Sequence, residues 1–149
     1  MGSAGGRPAG GQRGMYQNAA MVSDTGEISA MLAPVVDGAI DAALLRAWEE
    51  LCSDLVEENP FYEPWSLGPA LDGFGRGRVS LACVWSGETL IGLLPVAAVR
   101  GYARMPLGYW KSWTHPHCYF AAPLVRTGWE EPVFNALFAL LGEGGGAAK

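Results

Sequence analysis

The most concentrated set of reactive side chains in this sequence is the run Trp113-Thr-His-Pro-His-Cys-Tyr119. Histidine titrates near neutral pH, so His115 or His117 is a candidate catalytic base that takes a proton from an acceptor amine or hydroxyl. Imidazole and thiolate also bind zinc, which makes His115, His117 and Cys118 an alternative metal site, but a closed zinc site needs a fourth ligand and none lies near in the sequence. The simplest interpretation is a turn around Pro116 whose side chains pack and hydrogen-bond locally.

Aromatic residues beside these histidines are a second candidate feature. Trp113 and Tyr119 are candidate substrate-binding residues, since with Trp110 they could form a platform for an acceptor. Lys111 is the basic group in that stretch.

Other catalytic patterns are missing from the sequence. The serines lack the Gly-x-Ser-x-Gly pattern of a hydrolase nucleophile. Glu57 and Glu58 are adjacent at a predicted helix end and point apart, unlike a pair of catalytic carboxylates. The Gly-x-Gly-x-Gly spacing at residues 73–77 precedes a strand, whereas a phosphate-binding loop follows a strand and opens a helix. We therefore interpret it as a flexible connector.

Composition restricts the partners and the compartment. The chain has 149 residues, of which 50% are hydrophobic and 17% charged, and this fits one globular domain. The net charge is −5 and the arginines are scattered, so we expect no nucleic-acid partner. Three widely spaced cysteines without a Cys-x-x-Cys pattern indicate reduced thiols that fill the core of a cytoplasmic protein. No apolar run approaches the roughly 20 residues of a membrane span.

Apolar periodicity predicts the elements that position these residues. A strand over residues 27–36 precedes an amphipathic helix over residues 40–55, for which Asp37 is the predicted N-cap. Pro64 starts a short helix after an aromatic corner, because its missing N–H is not needed at the first helical position. The later elements are a hairpin of residues 79–85 and 89–99 turning at Ser86-Gly87-Glu88, extended segments at 102–113 and 118–125, and a helix over 130–141.

The ends of the chain have a different composition. Residues 1–24 hold few large apolar groups and are predicted to be a disordered arm, for which Met15 and Met21 are alternative starts. The domain is expected over residues 25–141. The Gly-rich residues 142–149 are interpreted as a linker or a truncated end.

Three punctuated apolar blocks occur in a fixed order along the domain. They are Asn-Pro-Phe-Tyr-Glu-Pro-Trp-Ser-Leu-Gly-Pro-Ala-Leu at residues 59–71, Ile91-Gly-Leu-Leu-Pro-Val96, and Pro123-Leu-Val125. Together they resemble the N-terminal part of bacterial acetyltransferases of the BioF2-like or CelD-like type, relatives of the GNAT superfamily, over about residues 25–141. The resemblance implies an α+β, GNAT-like fold with a mostly antiparallel sheet and flanking helices, forming the N-terminal half of a longer tandem fold.

The activity that the resemblance implies is transfer of an acetyl or acyl group from acyl-CoA to an amine or hydroxyl acceptor, with a link to the biosynthesis of exopolysaccharide such as cellulose. The superfamily holds the pyrophosphate of coenzyme A on backbone amides of an Arg/Gln-x-x-Gly-x-Gly/Ala motif. The segment in that position here has Arg126 and Gly128 as candidate cofactor-binding residues but not the required spacing. We therefore expect acetyl-CoA to be a co-substrate of the full-length enzyme and not to bind this chain alone.

This interpretation implies a partner. The donor site is expected in a missing C-terminal half, so this chain should pair with that half or with a second copy of itself through an exposed sheet edge. The acceptor is expected to be a small molecule or a saccharide. The alternative function is a non-catalytic GNAT-like module for binding or assembly.

Overall fold

The computed structural model describes residues 18–23, 26–75, 78–102 and 104–144, which form a six-stranded antiparallel sheet with helices on its faces. This confirms the α+β class and the mostly antiparallel sheet that the sequence predicts. The elements in chain order are β1 (Asn18–Ser23), β2 (Gly26–Pro34), α1 (Ala42–Cys52), a 3₁₀ turn (Pro60–Tyr62), α2 (Pro64–Ala70), a π-helical turn (Leu71–Gly75), β3 (Val79–Ser86), β4 (Thr89–Tyr102), β5 (Met105–Ser112), β6 (Leu124–Val125) and α3 (Glu130–Gly144).

The strands follow the order β1-β2-β3-β4-β5, and β6 also pairs with β4. The long strand β4 therefore has two neighbours on one edge. Its second half pairs with β5, starting at Val96 opposite Ser112. Its first half pairs with β6, at Gly92 opposite Val125 and Leu93 opposite Leu124.

The central hairpin of β3 and β4 is confirmed, with a two-residue turn at Gly87 and Glu88. Gly87 has a φ of 58°, while Glu88 is not among the residues with positive φ. A positive φ at the first turn position alone is typical of a type II′ turn, and glycine adopts it without steric cost.

Helices α1 and α3 lie on opposite faces of the sheet. A Cβ built on Gly92 would lie 2.5 Å from a methyl carbon of Val133, so the Gly92 face of the sheet packs against α3. Cys83 faces the other way, because side chains alternate along a strand and its neighbour Val84 pairs with Gly92. Cys83 lines a cleft together with Leu44 of α1.

The N-cap of helix α1 lies four residues after the predicted one. Asp41 is the N-cap, and its carboxylate accepts hydrogen bonds from the N–H groups of Ala43 and Leu44 at 3.0 and 3.2 Å. The prediction of Asp37 is wrong because that residue has a φ of 51° and lies in a turn closed by a hydrogen bond from Ala39 to Val36. The short helix started by Pro64 is confirmed.

Other predicted boundaries also differ. Within the arm predicted as disordered, Asn18–Ser23 form β1, because the backbone of β2 offers a free edge to which even a weakly apolar segment can pair. Residues 1–17 and 24 lie outside the described residues. Helix α3 continues to Gly144, past the predicted end at residue 141. The π-helical turn Leu71–Gly75 includes the first three residues of the flexible connector predicted over 73–77, and residues 76–77 lie outside the described residues. Only Leu124 and Val125 of the extended segment predicted over 118–125 form a strand.

The core lies on both faces of the sheet and includes Trp48, Leu51, Tyr62, Leu93 and Val133, all at most 2% exposed. Cys83 is buried, Cys52 and Cys118 are half-buried, and all three are free thiols. Among the described residues, no helix combines the length and hydrophobicity that crossing a bilayer requires.

Candidate functional site

The segment that carries both histidines leaves the sheet after β5 and returns to it at β6. Trp113 donates its N–H to the carbonyl of Pro95 in β4 at 2.8 Å. In an antiparallel ladder such a pair exchanges two hydrogen bonds, the second from the N–H of residue 95 to the carbonyl of residue 113. Proline has no N–H to donate. The ladder therefore stops at Trp113, and residues 113–123 form a loop without regular secondary structure.

Because Pro95 has no N–H, the carbonyl of Trp113 accepts a hydrogen bond from a side chain instead. The Tyr62 hydroxyl donates to the carbonyl of Trp113 at 2.9 Å. Tyr62 is itself fixed, since the buried indole N–H of Trp48 in α1 donates to its carbonyl at 2.9 Å. Burial, followed by the nearby Cys118, raises the pKa of Tyr62, so the phenol keeps its proton for this bond.

Asn59 holds the other end of the loop. Its side-chain amide donates to the carbonyls of Phe120 and Ala122 at 3.2 and 2.8 Å, and its carbonyl oxygen accepts from the N–H of Phe61 at 3.2 Å. Asn59 is 1% exposed, and among the described residues it is the only polar residue that is buried. The corner of residues 59–62 therefore binds the loop at three backbone carbonyls, two through Asn59 and one through Tyr62.

The two histidines lie in a tight turn of this loop. The N–H of Cys118 donates to the carbonyl of His115 at 2.9 Å, with Pro116 at the second turn position, where its fixed φ is favourable. The N–H of His117 donates to Nδ1 of His115 at 3.2 Å. Nδ1 is thereby assigned as the acceptor, so the neutral His115 ring carries its proton on Nε2.

This tautomer decides which chemistry His115 can perform. Burial, and secondarily the charge of His117, lowers the pKa of His115 and favours the neutral ring. Its Nε2 is buried and has no hydrogen-bond partner among the described residues. A general base needs a free lone pair, whereas this nitrogen presents a proton. His115 therefore has no lone pair available at Nε2, and the exposed ring of His117 is the better placed candidate base.

The aromatic candidates are close to His115. The ring centroids of Trp113 and His115 lie 6.1 Å apart, and those of Phe61 and His115 lie 6.5 Å apart. Tyr119 is 84% exposed and makes an edge contact with Phe61 at 6.0 Å. Such contacts fix the orientation of an aromatic ring that would otherwise rotate freely in solvent. Phe61 therefore contacts both Tyr119 and His115.

His115, His117 and Cys118 are not arranged as zinc ligands. Nδ1 of His115 accepts the His117 N–H, and Sγ of Cys118 is directed to the carbonyl of Phe120 at 3.3 Å. Within residues 18–23, 26–75, 78–102 and 104–144, no three His, Cys, Asp or Glu side chains are grouped so that they could hold a metal ion.

Arg126 and Gly128 lie in a different turn, and Arg126 contacts residues outside the loop of residues 113–123. The Arg126 side chain donates to the carbonyl of Leu90 at 3.3 Å and pairs with Asp54 at 3.6 Å. The N–H groups of residues 126, 127 and 129 donate to the carbonyls of Ile91, Asp54 and Arg126. Gly128 has a φ of 82° and serves the turn before α3, whose first turn carries two acidic residues, Glu130 and Glu131.

A pyrophosphate does not fit this turn. A cradle needs several backbone amides directed at the anion, and three amides of the turn already bond backbone carbonyls. The two carboxylates at the start of α3 would also repel an anion. The described residues at this position thus lack the features of a coenzyme A site.

The supporting residues Asn59, Tyr62 and Pro95 were not predicted as part of the site. Each lies in one of the three apolar blocks noted in the sequence, which were used for the family resemblance and not as part of a site. An asparagine inside an aromatic block was the available signal, because a buried amide must find partners. The partners themselves lie about 60 residues along the chain and leave no local pattern.

Comparisons of this chain with protein-family models, curated proteins and solved structures found no match.

Proposed function

We propose that this chain is the GNAT-like N-terminal unit of a cytoplasmic acyltransferase, which transfers an acyl group from acyl-CoA to an amine or hydroxyl acceptor. Its contribution in this proposal is to the acceptor side of the reaction. The observation that carries the proposal is the meeting of the three sequence blocks at one loop. Pro95 interrupts the ladder, Asn59 and Tyr62 hold the loop, and the strand of Leu124 and Val125 returns it to the sheet.

The element order supports the same proposal. The sequence of β2, α1, α2, the β3–β4–β5 meander and α3, with α1 and α3 on opposite faces, agrees with the layout that the resemblance implies, and β1 and β6 are additional strands. Acceptors in such reactions attack the acyl carbonyl directly, and the protein supplies orientation, a base and a hydrogen-bond donor for the developing oxyanion. In this loop Trp113 and Tyr119 would orient the acceptor, and His117 would take its proton.

A second function is favoured by a different observation. The N–H groups of residues 126, 127 and 129 already bond backbone carbonyls and α3 starts with two carboxylates, which disfavours a coenzyme A cradle at this turn. A GNAT-like module without chemistry, which recognises a saccharide-bearing acceptor or another protein half, would need none. Among the described strands β5 pairs with β4 alone, so its outer edge offers backbone groups to such a partner.

Two measurements separate these functions. Calorimetric titration of the 149-residue chain with acetyl-CoA should show no saturable heat, and saturable binding would contradict a donor site elsewhere. Transfer from radiolabelled acetyl-CoA to a panel of amines and saccharides is then measured with the chain extended by any coding sequence that follows Lys149. Product formation that His117→Ala abolishes would support the acyltransferase. Saccharide binding without product in either form would support the module.

A further inference from the structure

A second concave surface lies away from the loop of residues 113–123. A cleft of about 330 Å³ opens between α1 and the sheet, a volume at the lower end of the range for small-molecule sites. Its floor comes from alternate residues of β2 and β3, its wall from the start of α1, and its rim from the β3–β4 turn. The lining residues of these three parts are Ser29, Met31, Ala33, Cys83 and Trp85, then Asp41, Ala43 and Leu44, then Gly87 and Glu88.

The position of α1 explains why this cleft exists. The helix makes its sheet contacts mainly with β4 and β6. The adjoining face of β2 and β3 is therefore only partly covered, and Ser29, Met31 and Trp85 on that face are half-buried.

The floor of the cleft is uncharged and mostly apolar, with Ser29 as a polar side chain. Burial raises the pKa of the Cys83 thiol to about 12, so it stays protonated at neutral pH, and its Sγ is directed to the carbonyl of Leu81 at 3.6 Å. Met31 and Leu44 supply further apolar surface. The Trp85 indole adds an aromatic surface, and indole faces attract organic cations.

The rim carries negative charge. Asp41 and Glu88 belong to the lining, and a shallower depression that shares Ala43 and Glu88 with the cleft adds Glu49 and Glu50, against a single arginine, Arg46. The negative potential of these carboxylates attracts cations and repels anions at the mouth of the cleft. Carboxylates, phosphates and coenzyme A are therefore poor ligands for this site.

We propose that this cleft binds a small organic ammonium ion, with its apolar body on the β2–β3 floor and its charged group beside Glu88. The ligand class follows from the combination of an uncharged, mostly apolar floor and an acidic rim. This site is distinct from the loop of residues 113–123 that carries the histidines (the histidine loop), and the proposal does not depend on acyl transfer.

Three probes of equal chain length test the ligand class. The chain is titrated with n-hexylammonium, n-hexanol and hexanoate, and binding is followed by two-dimensional NMR of the backbone amides and of the Trp85 indole N–H, which is assigned with Trp85→Phe. We expect saturable shifts at cleft residues for n-hexylammonium, with affinity at least about fivefold above that of n-hexanol. Hexanoate should bind more weakly than n-hexanol. Equal affinities, shifts located elsewhere or no saturable shift would each overturn the proposal.

Two pairs of variants test the location. Glu88→Gln should lower n-hexylammonium affinity about fivefold and leave n-hexanol unchanged, whereas Glu131→Gln on the opposite face of the sheet should change neither. Ala43→Leu fills the cleft from an exposed helix position and should weaken both probes. Ala42→Leu is the matched control, because Ala42 is exposed on the same turn and does not line the cleft. Equal effects within either pair would place binding elsewhere.

Discussion

Replacing Asn59 tests whether the corner of residues 59–62 holds the histidine loop in place. Asn59→Ala removes three hydrogen bonds, two to the loop carbonyls of Phe120 and Ala122 and one from the N–H of Phe61. A net hydrogen bond contributes about 1 kcal/mol, and all three bonds are part-buried. We therefore expect the free energy of unfolding to fall by about 3 kcal/mol, which a domain stable by about 5–15 kcal/mol survives.

Asn59→Asp gives a sharper result because it keeps the shape and changes the donors. A carboxylate still accepts from Phe61, but it cannot donate to the carbonyl of Ala122, which lies 2.8 Å from the amide nitrogen. Two acceptors would then face each other in a buried site. At neutral pH the aspartate variant should be at least as unstable as the alanine variant, and it should recover in part when acid protonates the carboxyl.

Urea denaturation followed by tryptophan fluorescence measures these differences. Asn135→Ala, at an exposed position of α3, is the control and should change stability by less than about 0.5 kcal/mol. Hydrogen exchange adds a local measurement, since the amides of Trp113 and Cys118 should lose protection first. An Asn59→Asp variant as stable as the parent at neutral pH would refute the assigned donors.

Three further predictions concern packing and titration. Gly92→Ala should cost about 1–3 kcal/mol, because its methyl would meet Val133 at 2.5 Å, yet be neutral or stabilising in a Val133→Ala background; additive effects in urea denaturation would contradict this contact. Burial lowers the pKa of His115, so the neutral ring favours the folded state. The contribution of His115 to the free energy of unfolding should therefore be full above about pH 6.5 and decline as the pH falls toward the folded-state pKa. His115→Asn should flatten that part of the pH profile of urea denaturation. Burial raises the pKa of Cys52 to about 11 and of Cys83 to about 12, so iodoacetamide should alkylate both more slowly in the native protein than in urea, and equal rates would be inconsistent with their burial.

Elements whose stability comes from their own apolar pattern could be predicted from the sequence. Helix α1 repeats apolar residues at spacings of three and four and buries Trp48 and Leu51, and the β3–β4 hairpin combines apolar strands with a glycine turn. Strand β1 could not be predicted in this way, because its pairing depends on the free edge of β2, which is a property of another segment. The N-cap was misplaced for a similar reason, since Asp37 and Asp41 are both suitable caps and only the turn at residues 36–39 excludes the first.

The candidate site was located by the sequence but not described by it. The run from Trp113 to Tyr119 contains a turn in which His117 donates its N–H to the His115 ring. This agrees with the interpretation that the histidines lie in a locally hydrogen-bonded turn. Which nitrogen of His115 carries the proton depends on the backbone N–H of His117, and that contact depends on the turn geometry. Residues 118–125 were predicted as an extended segment, but the carbonyls of Phe120 and Ala122 bond Asn59 rather than a neighbouring strand.

Pro95 gives a physical reason why the loop lies where it does. A residue with an N–H at position 95 would pair with both backbone groups of Trp113 and extend β5 along the edge of β4. With proline there, the carbonyl of Trp113 bonds the Tyr62 hydroxyl, and the chain crosses the corner of residues 59–62 before β6 resumes pairing at Leu93. The loop is therefore supported by three backbone carbonyls, none of which depends on the side chains at positions 114–119. Those positions can vary in chemistry without loss of the framework, which is the arrangement typical of binding loops carried on a fixed scaffold.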